Sequence, residues 1–143
     1  MIESYTYFEL EEYHESKIRL ETYISKFSNA AKAHNLIGIV FDELNDNIKA
    51  LYHYHRAYEI ESNNIEFLIA YVVSLFNHGN IKLAESVLTD FIKANKPNRN
   101  LILGLMCINS IPYKFTKVCW SKAHNSSLKV VSLKPNTVLD TEK

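Results

Sequence analysis

The sequence predicts an all-α protein, and three observations carry that prediction. Gly and Pro are scarce, three of each in 143 residues, fewer than the turns of an all-β fold need. Apolar residues recur three and four apart along most of the chain, the spacing of one helical face. The middle of the chain also repeats itself, with a shift of 34 positions between copies.

Written above residues 65–98, residues 31–64 set Ile37 on Tyr71, Phe41 on Leu75, Ala50 on Ala84, Tyr54 on Leu88 and Ile60 on Ala94. Asn45-Asp46-Asn47-Ile48 then falls on Gly79-Asn80-Ile81-Lys82, a polar break in both copies. The same shift backwards puts Tyr7 on Phe41, Ser16 on Ala50, Leu20 on Tyr54 and Tyr23 on Ala57, with Glu11-Glu12 at the break. Each copy thus reads as helix, short turn, helix. The expected helices run near 13–28, 31–44, 47–61, 65–77, 81–95 and 99–109, with Tyr5, Phe8 and Glu9 on the first helix of the early copy. Ser62-Asn63-Asn64 and Asn95-Lys96-Pro97 are stop-and-restart signals, and Gly79 stands where a helix C-terminus favours glycine. Beyond Asn100 the plan fades: Pro112 ends one helix, and 117–128 forms a last one carrying Val118, Cys119, Trp120, Ala123 and Leu128. Residues 129–143 turn polar and read as a flexible tail, although Val130-Val131-Ser132-Leu133 has the character to dock.

His34-x-x-Ile37-Gly38-x-x-Phe41 followed by Ala50-x-x-x-Tyr54-x-x-Ala57 resembles the signature of the tetratricopeptide repeat (TPR) family over a full 34 residues. His34 stands where that family has a large aromatic residue and Ser62 where it has proline. The resemblance implies a right-handed stack of antiparallel helix pairs in one domain over 1–128. Its copies would lie near 1–30, 31–64 and 65–98, with a degenerate C-terminal capping part at 99–128. Small residues such as Gly38, Ala50 and Ala57 would let paired helices approach, while Phe41 and Tyr54 fill the space between pairs.

Net charge is zero, from sixteen basic and sixteen acidic residues, which argues against a nucleic-acid binder working by bulk electrostatics. The charge is graded along the chain: segments 1–30, 31–64, 65–99 and 100–143 carry net −3, −2, +1 and +4. Such polarity suits steering of a charged partner or head-to-tail stacking. Two cysteines, Cys107 and Cys119, give no disulfide framework and read as buried thiols of a reducing compartment. The first residues lack a secretory pattern, and the longest apolar runs are about half a bilayer span. A cytoplasmic location is the expectation.

No pattern with catalytic specificity is present: no Gly-x-Ser-x-Gly, His-Glu-x-x-His, Cys-x-x-Cys or glycine-rich phosphate loop. No enzyme activity, metal or cofactor is expected. His55 and Glu59, four apart, make at best two arms of a metal site, and Cys119 with His124 is better read as an ordinary thiol beside a helix histidine. Lys114, Lys117, Lys122 and Lys129, interleaved with Tyr113, Phe115 and Trp120, offer a nucleic-acid contact as an alternative.

In TPR stacks the first helix of each pair lines a concave groove for partner segments. The resemblance places Asn35 and Ile39, then Ile69, Val73 and Phe76, on that surface, with Tyr5 and Phe8 from the early copy. The family's carboxylate clamp places Lys and Asn on these positions; here Asn35 is followed by Ile39, Ile69 and Val73, so that clamp is missing and the groove is expected to be apolar. That implies a protein–protein interaction module, a small chaperone or adaptor holding an amphipathic or extended segment of a partner. Small bacterial type III secretion chaperones of the TPR family are the best-fitting subgroup, and a fixed subunit of a larger assembly is the rival within binding proteins.

Overall fold

The computed structural model describes residues 1–129, and all regular structure among them is helical. The helices are α1 (Ile2–Glu9), α2 (Tyr13–Lys26), α3 (Ala31–Glu43), α4 (Asn47–Ile60), α5 (Ile65–Asn77), α6 (Ile81–Asn95), α7 (Arg99–Ile108) and α8 (Tyr113–Lys129). α5 and α6 begin and end where expected, and α2, α3, α4 and α7 stop one or two residues early. α8 starts at Tyr113 rather than 117. Pro112 sits just before its first turn, where a missing N–H leaves nothing unpaired, and its carbonyl accepts the Phe115 N–H at 2.9 Å. The expected tail, with Val130–Leu133, lies outside the described residues.

One turn geometry closes α1, α3, α5 and α7. Glu11, Asn45, Gly79 and Ser110 adopt φ of 59°, 59°, 77° and 60°. The N–H of the next residue reaches back five positions in each case: Glu12 to Tyr7 O (2.9 Å), Asp46 to Phe41 O (2.8 Å), Asn80 to Leu75 O (2.9 Å) and Ile111 to Met106 O (2.9 Å). This left-handed cap satisfies carbonyls that the helix end would otherwise orphan. The first three left-handed residues are spaced by 34, the last by 31, so the final copy is about one helical turn short. Gly79 and, less strongly, Asn45 have the residue types that conformation favours. Glu11→Gly and Ser110→Gly should each raise stability by up to about 1 kcal/mol, read from urea midpoints. A loss in both would mean the side chains support the turns by contacts that outweigh the strain.

The chain divides into two compact units, Met1–Asn80 and a second beginning at Ile81. In the first, α1 packs on α2, α2 on α3, α3 on α4 and α4 on α5. Leu20, Ile37, Val40, Leu68, Val72 and Leu75 are fully or almost fully buried. Ser16 Oγ donates to Ser4 O at 2.8 Å within the α1–α2 hairpin, both residues being buried. Ala31, Ala57 and Phe67 form a cluster flanked by Tyr58 and Ile60, which joins α3, α4 and α5. In the second unit α6 and α7 both pack on α8, around Leu88, Ile102, Met106 and Cys119. Ala50 in α4 and Ala84 in α6 have no exposed surface. Added volume there should cost about 1–3 kcal/mol, so Ala50→Leu and Ala84→Leu should lower the thermal midpoint clearly. Lys49→Ala should lose only the exposed 3.1 Å ion pair to Asp46 and a little more. Equal small losses in all three would show that neither alanine sits at a tight contact.

Candidate functional site

The residues expected to meet a partner lie on α1, α3 and α5. Tyr5 is exposed and Phe8 half-buried on α1, their ring centroids 6.5 Å apart, with Phe8 also 5.7 Å from Tyr13. Asn35 and Ile39 are four apart on α3 and half-buried, so they share a face. Val73 and Phe76 on α5 are likewise half-buried rather than open. Ile69 departs from expectation: it is only 6% exposed. The reason is the composition of α5, where seven of thirteen residues are buried over more than half of the helix's circumference. The strip left more open runs through Glu66, Ala70, Val73 and Asn77, and the enclosed face is wide enough to take in Ile69. Both α3 and α5 rest on α4, which holds their remaining half-buried positions in fixed relation.

Two polar features of this region were not read from the sequence. Asn35 Oδ1 is buried without a donor, and Ser74 Oγ on α5 and Nε2 of His78, which follows its last turn, are buried without partners. Leaving such an atom unpaired costs roughly 1–3 kcal/mol. Next to Asn35, His34 is buried and contacts two groups: Nε2 lies 3.1 Å from Ser28 O, and Nδ1 lies 3.0 Å from His53 Nδ1. A carbonyl can only accept, so His34 Nε2 carries its proton, His34 Nδ1 accepts, and His53 Nδ1–H donates. The imidazoles lie edge to edge along that bond, 5.2 Å between centroids, and His53 lies against Phe41 at 5.5 Å and 9°. Burial lowers the pKa of both: His53 to about 4, helped by His34, and His34 by a smaller step to which Arg56 adds. The one sequence signal was His34 itself, at a position where the TPR pattern has a large aromatic.

Other candidate chemistry resolves into ordinary contacts. His55 Nε2 lies 3.6 Å from Glu59 Oε1, and among the described residues no group of three or more His, Cys, Asp or Glu is placed to hold a metal. Cys119 is fully buried, and burial together with Glu85 pushes its thiol up to about 11, which makes it a poor nucleophile. Cys107, expected to be buried, is exposed. Ile102 and Met106 occupy the buried side of α7, and Cys107 lies a further 100° round the helix. Of the basic and aromatic series, Phe115 is buried, Lys122 pairs with Glu85, and Arg99 lies 5.8 Å from the Trp120 ring centre. Among the described residues no helix is long and apolar enough to cross a membrane. No family model matches the chain, and no curated protein is found to be similar to it.

Proposed function

We propose that the chain is a non-enzymatic protein-binding module of the TPR kind, which holds an amphipathic or extended segment of a partner against α3 and α5. The observation that carries this reading is Asn35 Oδ1, a buried acceptor with no donor, one turn from half-buried Ile39 on α3. A turn of the half-buried Asn35 side chain would bring that oxygen to a partner backbone N–H, while Ile39 and Val73 supply apolar contact worth roughly 1.5–3 kcal/mol per well-buried anchor. Tyr5, Phe8, Ile69 and Phe76 extend or back that surface. In its narrowest form the reading is a small cytoplasmic chaperone, of the sort that guards type III secretion subunits, built as one domain over 1–128. Residues 129–143 would then be accessory to it.

The test couples stability to binding. Asn35→Leu removes an unsatisfied acceptor, so it should raise the free protein's stability by about 1 kcal/mol and weaken the partner at least tenfold. Val73→Asp should abolish capture with helicity retained, and capture by the native chain should survive high salt. A protein captured equally by the native chain and both variants would refute this surface. Nucleic acid captured instead, and lost with salt or with Lys114 and Lys117 replaced, would favour the nucleic-acid alternative.

A further inference from the structure

The two hairpins at opposite ends of the sequence carry opposite charge. Residues 1–27 hold six acidic and three basic side chains, whereas residues 99–129 hold five basic and no acidic ones. On the acidic side, Glu3 and Glu15 are used by Arg19 at 2.6 and 2.9 Å. Glu9, Glu11, Glu12 and Glu21 are exposed and make no ion pair among the described residues. On the basic side Lys122 is taken by Glu85, while Lys114 and Lys117 are exposed and make no ion pair among the described residues.

The same two hairpins gather the exposed apolar surface. Of fourteen large apolar side chains exposed among the described residues, ten lie within 1–27 or 99–129, and the long stretch between supplies four. Ile2 is 87% exposed, with Leu10 and Ile18 beside it in sequence on the acidic hairpin; Ile108 is 80% exposed, with Tyr113 and Val118 on the basic one. A cleft of about 480 Å³ opens on the α1–α2 hairpin, walled by Ile18, Tyr23 and Phe27, with Glu3 and Glu15 balanced by Arg19 and Lys26 at its edge. Repeat arrays ordinarily present polar outer faces on their terminal units, so apolar terminal faces with unlike charges call for an occupant.

We propose that this occupant is a second copy of the chain: the basic α7–α8 face of one molecule docks on the acidic α1–α2 hairpin of the next. Each copy carries both halves of the contact, so complementary surfaces are always present at equal concentration. The two faces differ, which makes the contact heterologous; it propagates as an open chain or closes as a ring. Apolar side chains supply affinity, and the unpaired charges set orientation and speed encounter.

Light scattering on size-separated protein, over a range of concentrations and at low and high salt, tests the proposal. The native chain should gain mass with concentration at low salt, and less so at high salt, where the charges that orient the contact are screened. Two charge-altered variants sharpen the test. Glu9→Lys with Glu21→Lys takes the acidic hairpin from net −3 to +1, and Lys114→Glu with Lys117→Glu cuts residues 99–129 from net +5 to +1. Each variant alone should associate at least about tenfold more weakly, because one of its two faces has lost the charge that its counterpart meets. Mixed, they should regain association, since the unaltered basic face of one copy meets the unaltered acidic hairpin of the other. All four positions are exposed, and should a double substitution reduce the helical signal, Glu21→Lys and Lys117→Glu each make a smaller change in the same direction. A native chain that stays single at low salt overturns the proposal. So does a variant that associates unaided, or a mixture that does not.

Discussion

Gly38→Ala is expected to destabilise the first unit, even though alanine is the better helix former. A Cβ built on Gly38 would lie 2.7 Å from Cε1 and 2.8 Å from Cδ1 of Tyr54, where carbon atoms in contact prefer about 3.5–4.0 Å. The ring has little room to yield: it is buried, and its hydroxyl donates to Asp42 Oδ2 at 2.6 Å. Burial and that carboxylate also push the phenol well above its ordinary range, so it stays a donor. Overpacking of this kind costs about 1–3 kcal/mol, against a gain of about 1 kcal/mol for removing a helical glycine. The net expectation is a loss of up to about 2 kcal/mol in urea unfolding. Gly104, on α7, has nothing within 4 Å of the same position, so Gly104→Ala should gain up to about 1 kcal/mol. A double-mutant cycle isolates the cause: on a Tyr54→Leu background, Gly38→Ala should turn neutral or stabilising. Loss persisting on that background would place the strain elsewhere.

That contact shows what the sequence made legible. Gly38, Ala50 and Ala57 read as points of close approach, and Tyr54 as a filler of the space beside them; in the structure the filler lies on the gap that Gly38 leaves. The 34-residue shift located the breaks at Glu11-Glu12, Asn45-Asp46 and Gly79-Asn80, because each copy closes with the same left-handed cap. The final copy escaped because its cap at Ser110 arrives three residues early, which moves every later residue off the repeat's register. Burial of Ile69 was not legible either. Periodicity identifies the most apolar face of a helix, but on α5 nearly every face is apolar, and only packing decides which positions close. Asn35 was named for its position in the repeat, whereas the orphaned state of its oxygen depends on neighbours that no local pattern specifies.

Stability should fall between pH 6.5 and 4 because of His34 and His53, which lie nineteen positions apart in sequence and touch in the fold. Their bond requires His34 neutral: its Nδ1 must keep its lone pair to accept from His53 Nδ1–H, since Ser28 O already fixes the proton on His34 Nε2. Protonating His34 at Nδ1 would set two N–H groups against each other, and protonating either ring places a charge in a poorly solvated site near Arg56. Both folded-state pKa values are therefore lowered, His53 to about 4. In the unfolded chain each returns to about 6.5. Below that value the unfolded state binds more protons than the folded one, so acid favours unfolding. The stabilisation is complete above about pH 6.5 and is lost progressively as pH falls towards 4, with His53 alone accounting for about 2–3 kcal/mol. The Asp46 and Glu59 carboxyls, lowered chiefly by hydrogen bonds from Lys49 and Arg56, lose their contribution at lower pH. Urea midpoints across this window should decline steeply in the native chain. In the double variant His34→Leu with His53→Phe they should decline far less over the same window. Imidazole resonances followed by NMR should give His53 a midpoint near 4. A midpoint near the ordinary histidine value, or an unchanged slope in the double variant, would mean that the two rings do not hold each other neutral.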